Sequence, residues 1–118
     1  MKMDIRDDPK IVNLIRSRDL APKTAESYIL HIKNFCDFHG MSPADLIKEA
    51  REDQINEPWM DDRRIKKRLM DYNEHIEHNY TYKTRILANG IIRTFYNEYE
   101  VQLPKIKIKQ DLDDLAKE

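Results

Sequence analysis

Two pairs of metal-binding residue types stand out first. Cys36 with His39, and His75 with His78, are each spaced three apart, a spacing that on a helix turns both members of a pair toward one ion. Four such ligands together would make a zinc site. The surroundings argue against it, because Cys36 and His39 fall on an apolar stripe, His78 turns toward a basic face, and nothing in the sequence brings the pairs together. No metal and no other cofactor is expected. Glycine-rich phosphate loops, His-Glu-x-x-His and Ser or Cys nucleophile contexts are missing. Six tyrosines are present, but a tyrosine nucleophile needs cations around it to hold a transferring phosphate, and no such cluster can be assigned. Tyr28, Tyr72, Tyr96 and Tyr99 read instead as core residues, and the chain by itself is expected to catalyse nothing.

A different chemistry is offered by two rows of hydrogen-bond donors. On one helix Lys83, Asn89, Arg93 and Asn97 share an arc with little acid; on another, Thr24, Ser27, His31 and Asn34 lie beside Lys23. Donors and cations without acids are what a phosphate backbone requires of a protein surface. The plainer alternative for either row is a solvated helix face.

The elements that must position these rows follow from periodicity and caps. Residues 81–99 form the central helix, with Thr81 as N-cap and Leu87, Ala88, Ile91, Ile92, Phe95, Tyr96 and Tyr99 covering about half its circumference. Gly90 in its middle costs about 1 kcal/mol relative to alanine, which implies either a helix crossing at close range or a close backbone approach, such as that of nucleic acid. Asp8-Pro9 starts a short helix carrying Ile11, Val12, Leu14 and Ile15, too short to stand alone, which must dock on the domain or on a neighbouring molecule. A second helix runs from Pro22 to a left-handed stop at Gly40, with Ala25, Tyr28, Ile29, Ile32, Phe35, Cys36 and His39 as its buried stripe. Ser42, Pro43 and Asp45 signal a third, over residues 43–53, read as a lid with an acidic outside. Trp59 is expected to pin the following turn to the core. Residues 60–79 then give a long charged helix, buried at Ile65, Leu69, Tyr72 and Ile76, with Arg63, Arg64, Lys66, Lys67 and Arg68 opposite as a solubilising face. Beyond Tyr99 the chain alternates apolar and basic residues around Pro104 and reads as an extended strap.

Composition sets the frame for these elements. A chain of 118 residues with two glycines and no long β-branched run fits one all-helical domain. One cysteine allows no intramolecular disulfide, and no apolar run reaches membrane-span or signal-peptide length, so the expectation is a cytoplasmic protein without membrane partners. The net charge of −1 hides a polarity: residues 41–62 hold two basic against seven acidic side chains, and residues 63–99 eight against four. A partner can therefore meet a basic face while acid sits elsewhere.

Leu20-Ala21-Pro22-Lys23-Thr24-Ala25-Glu26-Ser27-Tyr28, Phe35-Cys36-Asp37-Phe38, Tyr82-Lys83-Thr84, Ile92-Arg93-Thr94-Phe95-Tyr96 and Leu103-Pro104-Lys105, in that order, resemble the N-terminal core-binding domain of tyrosine recombinases and phage integrases, most closely archaeal ones. The resemblance implies an all-α, four-helix SAM-like bundle over residues 21–102, preceded by an extra N-terminal helix and connection (1–20). Residues 103–118 would be an extended interdomain linker and the cut-off start of a catalytic domain. It implies duplex DNA as partner, gripped by Lys23, Thr24, Ser27, His31 and Asn34 from one helix and by Lys83, Thr84, Arg93 and Asn97 from another. Lys105, Lys107 and Lys109 would follow the backbone. The family's catalytic residues belong to a second domain, and no His-x-x-Arg occurs here. This chain would then be a monomeric fragment that meets other recombinase protomers only in a synaptic complex. A competing reading is a helical protein-interaction module, with Leu30, Phe38 and Met70 as its exposed apolar contacts.

Overall fold

Three of the helices open on a proline that needs no hydrogen-bond partner at the first turn. In the computed structural model, which describes residues 4–110, these are α1 (Pro9–Ser17), α2 (Pro22–His39) and α3 (Pro43–Asn56); α4 (Arg64–Ile76) and α5 (Tyr82–Glu98) follow. The architecture is an all-α bundle, with no strand among the described residues. Asp8, Ser42 and Thr81 each cap a helix by accepting a backbone N–H, from Lys10, Asp45 and Thr84 respectively.

The helix ends are closed as systematically as the starts. After α1, α2 and α5 one residue turns left-handed, at Asp19 (φ 50°), Gly40 (φ 63°) and Glu100 (φ 61°). The next N–H then reaches five residues back, Leu20 to Ile15, Met41 to Cys36 and Val101 to Tyr96, which satisfies carbonyls the helix leaves over. Only Gly40 does this without a Cβ penalty.

One core joins all five helices. Phe35 on α2 is its hub, edge-on to Tyr72 of α4 (5.2 Å between centroids) and Tyr96 of α5 (6.1 Å). Ile29, Ile32, Leu46, Ile47, Ile65, Leu69, Ile91, Ile92 and Phe95 fill the space around it. The short α1 docks within the chain: Ile11 and Leu14 are fully buried, and the Tyr99 hydroxyl donates to the Lys10 carbonyl. The most extensive helix pair is α2 with α5. They run antiparallel, since Arg18, before α2, pairs with Glu98 at the end of α5 (3.3 Å), while Asn34 late in α2 bonds Tyr80 just before α5 (3.3 Å).

Three expectations are overturned here. Trp59 is 73% exposed, because Arg63 fixes the turn in its place: its guanidinium is buried and donates to the carbonyls of Glu57 (2.8 Å) and Pro58 (3.4 Å). The helix expected over 60–79 begins as a 3-10 turn at Met60–Asp62, breaks at Arg63 and continues as α4 only to Ile76. The acidic outside of α3 is partly an inside. Glu49 and Asp53 are buried, with Glu49 taking Arg68 through two bonds (3.0 and 2.8 Å) and Asp53 taking Arg64 through its side chain (2.7 Å) and backbone (2.8 Å).

Removing the partner of a buried carboxylate leaves its charge uncompensated, at a cost of about 3 kcal/mol or more for a fully sealed pair. Arg68 keeps some exposure, so Arg68→Ala should lower unfolding free energy by about 2 kcal/mol in denaturant titration. The Glu49→Ala, Arg68→Ala double variant should recover part of it; a double-variant loss equal to the sum of the two single losses would mean that the pair adds nothing specific.

Candidate nucleic-acid interface

The side chains expected to meet phosphate separate into those the fold leaves open and those it uses. Lys23 and Thr24 on the first turn of α2 are exposed, as are Lys83 and Asn97 on α5; Ser27, Asn34, Thr84 and Arg93 are half-buried. Lys83, Gly90 and Asn97, spaced seven apart, make a line along the solvent side of α5. On the strap, Lys105 and Lys107 are exposed while Ile106 and Ile108 alternate with them toward the protein.

His31 does not belong to this surface. It is 5% exposed, edge-on to Tyr80 at 6.2 Å, and its Nδ1 has no hydrogen-bond partner. Burial alone pushes its pKa below the ordinary imidazole value, so it stays neutral. Asn89 is likewise buried, its amide donating to the Arg85 carbonyl (3.0 Å), which removes it from the donor row on α5. Leu87, expected in the core, is 50% exposed beside that row instead. Arg93 turns one nitrogen to the Pro104 carbonyl (2.9 Å), joining α5 to the strap and leaving the rest of its fork available.

Gly90 has neither neighbour that would explain it from within. A Cβ built there meets nothing within 4 Å, so the first of the two alternatives, a helix crossing at close range, is absent. The exposed backbone at this point is open to approach from outside.

Charge separates the candidate surface from α4. The basic cluster of α4 is not a free solubilising face: Arg64 and Arg68 are held by Asp53 and Glu49, Lys66 by Asp61 (2.7 Å) and Lys67 by Asp71 (2.7 Å). Hydrogen bonding from Arg64 holds the Asp53 carboxyl below its usual range. Lys23, Lys83, Arg93, Lys105 and Lys107 have no acidic partner among the described residues.

The residue that anchors the strap was not foreseen. Arg85 is buried and donates to the carbonyls of Glu77 (2.9 Å), Tyr80 (2.7 Å) and Lys109 (2.8 Å), closing the end of α4 and fastening the strap with one fork. Its spacing with Ala88, Ile92 and Phe95 placed it on the core stripe, the only available hint. Between α4, α5 and the strap lies a groove of about 550 Å³, lined in part by Met70, Asn73, Asn89 and Ile106.

Three of the four metal-binding side chains are otherwise engaged, and His78 is exposed. Burial pushes the Cys36 thiol up to about 12, His39 donates from Nε2 to the Arg68 carbonyl (3.0 Å), and His75 stacks on Phe38. No group of three or more His, Cys, Asp or Glu side chains suited to a metal occurs among the described residues, and no helix there is long and apolar enough to cross a membrane. No family model, curated protein or solved structure matches this chain.

Burial lowers the pKa of His31 and His39 from the ordinary 6.5. The unfolded chain therefore binds more protons than the folded one as pH falls through about 6.5, so their contribution is complete above that pH and is lost below it. Thermal midpoints should drop between pH 7.5 and 5.5, before carboxylates titrate. His31→Leu should flatten this slope, and an unchanged slope would assign it elsewhere.

Proposed function

We propose that this chain is a duplex-DNA-binding helical domain that seats a sugar-phosphate backbone on α2 and α5 and extends the contact along the strap. The observation that carries the reading is the absence of acidic partners, among the described residues, for Lys23, Lys83, Arg93, Lys105 and Lys107 in a chain where α4 matches its cations to acids. Thr24, Ser27, Thr84 and Asn97 would supply neutral donors beside these charges, and Asn34 lies at the far end of the α2 row. Gly90 supports it independently, since an unfilled helical glycine facing open space lets another backbone come close. Contacts of this kind position DNA without reading its sequence, so the domain adds affinity and orientation.

With the motif order from Leu20 to Lys105, the reading narrows to the core-binding domain of a tyrosine recombinase or integrase. In that setting strand exchange belongs to a separate catalytic domain, and other protomers join in a synaptic complex. The competing protein-interaction reading finds its expected apolar contacts exposed, Leu30 at 53%, Phe38 at 39% and Met70 at 44%, although Phe38 lines a hollow with His75 and Met70 lines the groove by the strap. Ile55 and Trp59, 83% and 73% exposed, add to that apolar surface.

A duplex titration at two salt concentrations tests the proposal. Lys23→Ala and Lys83→Ala should each weaken binding for all sequences and lower the salt slope by about one, whereas Lys67→Ala, whose cation already pairs with Asp71, should leave the slope alone. Gly90→Ala should raise stability by about 1 kcal/mol, because the helix gains propensity and the Cβ meets nothing, yet weaken binding. Binding indifferent to Lys23, Lys83 and Gly90 would move the interface off these helices.

A further inference from the structure

A hollow of about 450 Å³ between α2 and the C-terminal end of α4 shares only Asn34 with the duplex contacts above. Four of its lining residues carry rings: Phe38, Tyr72, His75 and Tyr80. Phe38 is 39% exposed and stacks on His75 with centroids 4.5 Å apart and planes 28° from parallel, so the two form one aromatic wall that reaches solvent. Tyr72 is 2% exposed, and its hydroxyl is buried without a hydrogen-bond partner. Asn34 donates its Nδ2 to the Tyr80 hydroxyl at 3.3 Å, which leaves its amide oxygen as an acceptor.

The Tyr72 hydroxyl is sealed from solvent and lies beyond a ligand's reach, so the Asn34 oxygen is an acceptor that the hollow offers. Stacking rings next to scarce but defined polar groups suit a planar heterocycle with hydrogen-bonding edges. Every nucleobase has a π face for such rings, whatever its sequence. Asn34 belongs both to the α2 donor row and to this hollow, so a strand lying along Lys23 and Ser27 leads to it.

We infer that the hollow receives one unstacked nucleobase of the nucleic acid held on α2 and α5, stacked on the Phe38 and His75 pair with its polar edge toward the Asn34 amide. The inference rests on the DNA-binding reading and adds a second kind of contact to it. Extracting a base from an intact duplex loses pairing and stacking. The favoured partner is therefore a duplex in which a base is already unpaired.

The test compares the whole chain's affinity for a fully paired duplex with that for the same duplex carrying a one-base bulge. The bulged duplex should bind about 10-fold tighter. Phe38→Ala should abolish that preference and leave affinity for the paired duplex unchanged, while Lys83→Ala should weaken both alike. His75→Ala, which removes the other ring of the wall, should reduce the preference likewise, and unchanged affinity of both ring variants for the paired duplex separates misfolding from loss of the site. Equal affinity for the two duplexes, or a preference that survives Phe38→Ala, overturns this inference and leaves the duplex reading standing. Failure of both duplexes to bind removes both.

Discussion

Glu49 is the residue on which the distribution of charge in this protein turns. It sits on α3 with only 8% of its side chain exposed and takes Arg68 by two hydrogen bonds, with Arg64 at 3.7 Å. A carboxylate so placed must be matched, since an uncompensated buried charge is far more destabilising than the pair is stabilising. Asp53, one turn further along α3, repeats the arrangement with Arg64. Together the two acids consume the cations of α4 that, read alone, look most like a binding site. The lid and the basic helix are thus two halves of one neutralised seam, and Lys23, Lys83, Arg93, Lys105 and Lys107 on α2, α5 and the strap stay outside it.

A second use of arginine holds the extended segment in place. Residues 101–110 have no regular structure of their own, so their carbonyls need partners from elsewhere. Arg93 takes Pro104 and Arg85 takes Lys109, both from α5, while Arg63 takes the Gln102 side chain (2.8 Å). Two of these three bonds go to backbone oxygens, so they set the path of the strap and tolerate almost any side chain along it. That path keeps the alternation of isoleucine toward the protein and lysine toward solvent.

Local signals were legible in the sequence where a single residue type decides the outcome. Asp8-Pro9, Ser42-Pro43, Thr81 and Gly40 mark real helix ends because capping and left-handed closure depend on neighbours within four residues. The apolar stripes of α2 and α4 were legible for the same reason of short range, and so was the all-helical bundle. Glu49, Asp53, Arg63 and Arg85 were not, because the rule that charges face solvent fails when the partner lies on another helix. Trp59 misled by the converse rule: a large apolar side chain usually goes inside, but the buried Arg63 fork already fixed that turn. His31 falls between donor row and core on a helix wheel, and only the packing of Tyr80 against it decides the matter. The sequence spoke to the candidate surface in part, since exposure of Lys23, Lys83 and Lys105 could be read and the pairing of their rivals on α4 could not.

The weak net charge of −1 is compatible with a polyanionic partner because of where the seam lies. At the α3–α4 seam most charge cancels at short range, so its field decays quickly outside the protein, whereas isolated lysines such as Lys23, Lys83, Lys105 and Lys107 project theirs outward to about a Debye length of ~8 Å at physiological salt. A phosphate chain approaching the molecule meets a local excess that the total does not report. Affinity built this way is modest and ionic-strength-dependent. Gly90 is consistent with that balance: a helix that gives up propensity at its open centre exchanges some stability for backbone access along the line from Lys83 to Asn97.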